Sequence, residues 1–208
     1  MIYNILDGKA AYYRAPKCGC STITAWVTLL EEPTLYDDKI EWFTQERYRR
    51  IFKYIDKNRY FGYYDTSNHP VRFCMVRDPV DRFLSGYTNR VVYHQDIQKE
   101  VKDIPVPNVD EFIERFDYFC DICPVVNNHF KSQVHFYKKD SKHFTHIFNF
   151  KQFNEVKVLL ELIGNIELPN LHLQRSKGLQ KPVLSDSQVE WIKNKYKEDY
   201  EVYGSYMS

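Results

Sequence analysis

Residues 14–30 constrain this chain more than any other stretch. Ala10 to Tyr13 is a short apolar run that reads as a strand, and Ile23, Trp26, Val27 and Leu30 recur at i, i+3, i+4 and i+7, one face of a helix. Between them lies Arg14-Ala15-Pro16-Lys17-Cys18-Gly19-Cys20-Ser21-Thr22. A strand, a loop of small residues and a helix start form a geometry that binds phosphate. Backbone N–H groups converge on the anion there, and the helix dipole favours negative charge. Lys17 adds a full positive charge, and Ser21 and Thr22 add donors. The pattern is not the nucleotide-triphosphatase loop G-x-x-x-x-G-K-[ST], because the lysine precedes the glycine and a second glycine is missing. The plainer alternative is a strand-to-helix turn capped by Ser21, with Lys17 solvated.

At 208 residues the chain is long enough for one well-packed domain and short for two of ordinary size, so 1–208 is read as one domain. A net charge of +1 argues against a dedicated nucleic-acid binder but leaves room for a local basic pocket. The 17 Tyr and 14 Phe point to a core built from rings. No apolar stretch approaches the roughly 20 residues of a membrane span. Met1 to Lys9 lacks the apolar run of a secretory signal, and five cysteines without such a signal fit a reduced, cytoplasmic chain.

Along the chain, residues 1–15 read as an N-terminal strand, 21–31 as a helix ended by Pro33, and 37–57 as a second helix. Arg47, Arg49, Arg50 and Lys53 lie off the apolar face of that second helix, a solvated charge run or a polyanion-binding surface. Val71 to Val76 reads as a buried strand stopped by Arg77-Asp78-Pro79, with Asp78 placed to cap the next helix and Pro79 at its first position. That helix should continue through Tyr87 and Val91. Further helices are expected over 108–116 and 126–137, a third strand over 144–150, and a helix over 151–163 stopped by Gly164. Ser185 with Gln188 makes a capping box that opens the last helix, to Glu198. Strands separated by helices imply an α/β fold, a central parallel sheet flanked by helices.

In such a sheet, ligands gather at the carboxyl ends of the strands. Lys17 and Arg77 each follow a strand and should face one crevice. Arg77 starts a helix with Ser85 about two turns along, and an arginine fork beside a hydroxyl suits a monophosphate. Two anion sites suggest a nucleotide with phosphate at both ends.

Here the sequence resembles the sulfotransferases that use 3′-phosphoadenosine 5′-phosphosulfate. Pro16-Lys17-Cys18-Gly19-Cys20-Ser21 is similar to their 5′-phosphosulfate loop, and Arg77-Asp78-Pro79-x-x-Arg82-x-x-Ser85-x-Tyr87 to their 3′-phosphate motif. The resemblance is greatest to the carbohydrate branch that contains the chondroitin and dermatan sulfotransferases. It continues through Asn128-His129-Phe130 with Gln133, Leu168-Pro169-Asn170 with Arg175-Ser176, and the ending Tyr196-x-x-Asp199-Tyr200-x-x-Tyr203-Gly204-x-Tyr206. Where the branch usually has a glutamate near the end of the third strand, this chain has Asn149-Phe150-Lys151. No stretch of this sequence is expected to serve as the membrane anchor of the animal enzymes.

The resemblance implies a nucleotide-triphosphatase-like sulfotransferase fold and transfer of a sulfuryl group to a hydroxyl of a carbohydrate or glycan precursor. It implies a donor held by Lys17, Cys18, Gly19, Cys20, Ser21, Thr22, Arg77 and Ser85, with Arg175, Ser176 and Lys177 on its 3′-phosphate or adenine side. If the chain is the catalytic part of a longer anchored protein, it implies a Golgi location. The chemistry requires no metal. Lys17 is the expected stabiliser of the leaving group and His129 the expected base, with Asp65 second. His69 is about 20 Å from its strand's carboxyl end, at the wrong edge of the sheet. The alternatives are a zinc-stabilised module built on Cys18, Cys20, Cys120 and Cys123, a kinase-like phosphoryl transferase, and a non-catalytic glycan binder.

Overall fold

In the computed structural model, residues 2–35, 61–62, 65–171 and 180–207 are described. The helix expected over 37–57 lies outside them. The chain divides into two compact units, Met1–Val76 with Phe136–Arg175, and Arg77–His135 with Ser176–Ser208.

The first unit is built on a five-stranded sheet: β1 (Ile2–Ile5), β2 (Ala10–Tyr13), β3 (Phe61–Gly62), β4 (Val71–Val76) and β5 (His146–Asn149), in the order β3-β1-β2-β4-β5. The expected single N-terminal strand is instead a hairpin. Leu6, Asp7 and Gly8 all take positive φ, and Lys9 N–H donates to the Leu6 carbonyl at 3.3 Å. The Asp7-Gly8 pair is a short-range signal for such a turn, and it makes β1 antiparallel to β2. The two-residue β3 is also antiparallel to β1. The parallel expectation holds for the other three strands, because β4 pairs in parallel with both β2 and β5. Their carboxyl ends therefore share one edge of the sheet.

Rings form a ladder across that sheet. Tyr3 stacks on Tyr12 at 5.8 Å, Tyr12 on Phe73 at 5.1 Å, and Phe73 meets Phe148 edge-on at 6.3 Å. Period-2 alternation puts these on one face. That face is covered by α1 (Cys20–Glu31), through Ile23, Trp26, Val27 and Leu30, and by the helix Phe153–Gly164, through Val156 and Leu160. The latter helix starts two residues later than expected, and its left-handed C-terminal residue is Asn165 rather than Gly164. On the opposite face Tyr13 packs edge-on against Phe144 at 4.9 Å, and Tyr137 donates its hydroxyl to the Met75 carbonyl at 2.6 Å.

The second unit is helical: α2 (Pro79–Gly86), a π-helical segment Tyr87–Tyr93, α3 (Asp96–Glu100), α4 (Val109–Glu114), α5 (Phe116–Ile122), α6 (Pro124–Phe130) and α7 (Gln133–Phe136), the last running one residue into the first unit. Counting Phe153–Gly164 as α8, the chain ends with α9 (Asp186–Lys195) and α10 (Lys197–Tyr203). Two expected single helices are therefore broken in two, at Lys131–Ser132 and at Tyr196, and Phe116–Ile122 is a helix beyond the one expected over 108–116. The caps follow expectation. Asp78 Oδ1 accepts from Val80 and Asp81 N–H, Asn108 from Glu111 N–H, and Ser185 with Gln188 forms a full capping box. The core is again aromatic: Phe130 lies 5.1 Å from Phe112, 5.2 Å from Phe83 and 5.7 Å from Phe116.

His143 in the first unit lies 2.7 Å, through Nε2, from the Tyr13 hydroxyl, which also bonds the Thr66 hydroxyl. Burial, then Lys138 and Arg72, hold its imidazole below the usual value of 6.5. A lowered folded-state value means that folding penalises the protonated ring. The stability it confers is full above 6.5 and is lost as pH falls through the lowered value. The urea midpoint of the wild type should fall between neutral pH and mild acid, and His143→Gln should flatten that slope.

Candidate active site

The loop that leaves β2 enters α1 through two left-handed residues, Lys17 at φ 67° and Gly19 at φ 68°. A side chain in that region costs about 1–2 kcal/mol, which Gly19 avoids and Lys17 does not. The helix cap is Gly19; Ser21, the cap in the plainer alternative, is already the second residue of α1. Ile23 N–H donates to the Gly19 carbonyl at 3.2 Å. The first turn of α1 carries no acidic residue, so nothing there opposes the dipole's preference for an anion.

Phe153, the first residue of α8, holds this turn from the side. A Cβ added to Gly19 would lie 2.1 Å from the Phe153 ring. That ring in turn packs edge-on against Phe150 at 5.3 Å and Trp26 at 6.3 Å. Trp26 is itself fixed by donating Nε1–H to the Pro169 carbonyl at 2.9 Å. Lys17, Gly19 and Ser21 remain half-buried, while Cys18, Cys20 and Thr22 are buried.

In the second unit, the Arg77-Asp78 turn is held by side chains far away in sequence. Arg77 N–H donates to Gln133 Oε1 at 2.9 Å, and Gln133 Nε2–H donates to the Arg77 carbonyl at 2.8 Å. The fully buried Asp199 accepts from Gln133 N–H and Val134 N–H, each at 2.9 Å. Burial raises the Asp199 carboxyl above its ordinary range, against the pull of those N–H groups and of Arg82. Tyr200 donates its hydroxyl to Asp78 Oδ2 at 2.9 Å. Ser85 is half-buried on the last turn of α2.

The model of the sulfotransferase family matches residues 7–206, nearly the whole chain, and takes in both the loop and the arginine turn. The chain belongs to the sulfotransferase family. No curated protein and no solved structure gives a match. Membership supports sulfuryl transfer as the chain's general chemistry.

In this sulfotransferase, His129 on α6 donates Nδ1–H to the Val125 carbonyl at 2.8 Å, so the basic lone pair belongs to Nε2. Its own carbonyl accepts from Arg82, a buried cation, at 3.3 Å. Asp65 Oδ1 accepts from the Ser67 N–H and hydroxyl before β4 begins. His69 Nε2 pairs with Asn4 Oδ1 at 2.9 Å. At the end of β5, Asn149 N–H donates to Gln152 Oε1 and Asn149 Oδ1 accepts from Lys151 N–H, an ordered turn. Arg175, Ser176 and Lys177 lie outside the described residues.

All five cysteines are buried, and burial pushes the Cys120 thiol up to about 12, unlike a thiolate ligand. Among the described residues no three His, Cys, Asp or Glu side chains are grouped to hold a metal. None of the described helices is long and apolar enough to cross a membrane.

Gln133, Asp199 and Tyr200 carry no local signal of their positioning role, because their partners are 56 to 122 residues away. Gly19→Ala tests the loop. Its positive φ alone should cost about 1–2 kcal/mol in chemical denaturation. Phe153→Leu in the same chain should recover only the steric part. A Gly19→Ala protein as stable as the wild type would contradict the left-handed turn.

Proposed function

We propose that this sulfotransferase moves the sulfuryl group of 3′-phosphoadenosine 5′-phosphosulfate to a hydroxyl of a carbohydrate or glycan-precursor acceptor. One observation carries the reading: the backbone that opens α1, with Lys17 and Gly19 both left-handed and a glycine at the cap of the helix. Backbone N–H groups in such a turn are suited to an oxyanion, and a lysine in the turn adds the charge.

Reaction proceeds by in-line attack. The acceptor oxygen bonds to sulfur as the bond between sulfur and the 5′-phosphate oxygen breaks, and the leaving phosphate gains the negative charge. Lys17 and the N–H groups from Cys18 to Thr22 stabilise that charge, and one such donor is typically worth about 3 kcal/mol. His129 Nε2 accepts the proton of the acceptor hydroxyl. Arg77 and Ser85 hold the 3′-phosphate, with Arg175, Ser176 and Lys177 on the same side of the nucleotide. Its binding energy orients the reacting bond. The acceptor assignment is supported by the likeness of the His129 and Tyr196–Tyr206 regions to the carbohydrate branch.

The test is transfer of labelled sulfate from this donor to a panel of glycans. Lys17→Ala and Arg77→Ala should each lower kcat/KM by at least about tenfold, or 1.4 kcal/mol. His129→Ala should lower kcat more than donor affinity. Full activity in Lys17→Ala would remove the lysine from the mechanism.

A further inference from the structure

The hydrogen bonds around Arg77 follow a register. Two consecutive residues of α10 hold two consecutive residues of the turn: Asp199 grips Arg77 through Gln133, and Tyr200 grips Asp78 directly. The Gln133 carboxamide bonds both the N–H and the carbonyl of Arg77, as a neighbouring strand's peptide would. The direction of both bonds fixes the amide's orientation.

Gln133 and Asp199 are both fully buried. Burying a carboxylate costs several kcal/mol before its partners repay it, and two well-packed apolar side chains would hold α7 against α10 without that cost. Asp78 is already a complete cap through Oδ1, so helix stability does not require the Tyr200 hydroxyl on Oδ2. What the network does fix is the backbone at Arg77, one residue ahead of the Asp78 cap.

We propose that Gln133, Asp199 and Tyr200 are positioning residues that hold Arg77 for the 3′-phosphate, so that selectivity for a 3′-phosphorylated nucleotide is set from the C-terminal helix. This rests on the donor proposed above and adds the residues that make its 3′ end readable. None of the three needs to touch the nucleotide. Asp199 Oδ2 also lies 3.5 Å from Gln133 Nε2, so carboxylate, carboxamide and Arg77 peptide form one chain of polar contacts.

Titration calorimetry with two probes tests it: adenosine 3′,5′-bisphosphate and adenosine 5′-phosphate, which lacks the 3′ group. The wild type should prefer the bisphosphate by about tenfold or more, the range of a charge-assisted contact. Tyr200→Phe, which removes one hydroxyl, and Gln133→Ala should each weaken bisphosphate binding by about three- to tenfold and leave adenosine 5′-phosphate nearly unchanged. Combined with Arg77→Ala, neither should add to its loss, because residues acting through one group are not additive. The proposal is overturned if both variants keep the wild-type preference while Arg77→Ala loses it, or if both probes weaken equally, the mark of a general structural role. A wild type that binds the two probes alike overturns the donor reading itself, and this inference with it.

Discussion

The contact between the Phe153 ring and the bare backbone of Gly19 is the constraint on which the candidate site depends. It leaves no room for a side chain at Gly19, and Gly19 is where the chain turns into α1. The ring is held in turn by Phe150 and Trp26, and Trp26 by the Pro169 carbonyl. Lys17 therefore takes a left-handed conformation at a point that aromatic packing has already made rigid. Strain of this size persists only where surrounding structure over-determines it. A turn so fixed need not reorganise when charge develops on a bound oxyanion, which is the condition for strong electrostatic stabilisation.

The second unit solves a related problem by different means. Its aromatic core around Phe83, Phe112 and Phe130 brings α2, α4 and α6 together but does not by itself orient a turn. Hydrophobic packing is non-directional. Direction comes from a short polar chain through Asp199, Gln133 and the Arg77 peptide, and from Tyr200 on Asp78. Arg82, buried nearby, offsets part of the cost of the Asp199 carboxylate. Each unit thus combines a ring-built core with one turn that the core alone could not aim.

Local pattern made much of the architecture readable. The apolar periodicity of α1, the Asp78-Pro79 start of α2, the Asn108 cap and the Ser185/Gln188 box depend on residues within a turn of one another. The parallel arrangement of β2, β4 and β5 followed from the alternation of strands and helices. The hairpin of β1 and β2 was missed although Asp7-Gly8 announced it, because the short apolar runs on either side merged into one strand. The helix break at Tyr196 was invisible because the apolar pattern runs through it unbroken. Lys17 was legible as a charge beside a helix start, but its left-handed backbone was not. Gln133 and Asp199 illustrate the harder limit: both belong to the family pattern, but what each one bonds appears only when the fold closes loops of more than fifty residues.

The central claim is that the backbone entering α1 receives the 5′-phosphate end of the donor. The most direct measurement is a titration with adenosine 3′,5′-bisphosphate followed by amide nitrogen–proton correlation spectra. The amides of Cys18 to Thr22 should shift with saturation, and adenosine alone should leave them in place. A saturable shift confined to other amides, with those five unmoved, would contradict the account.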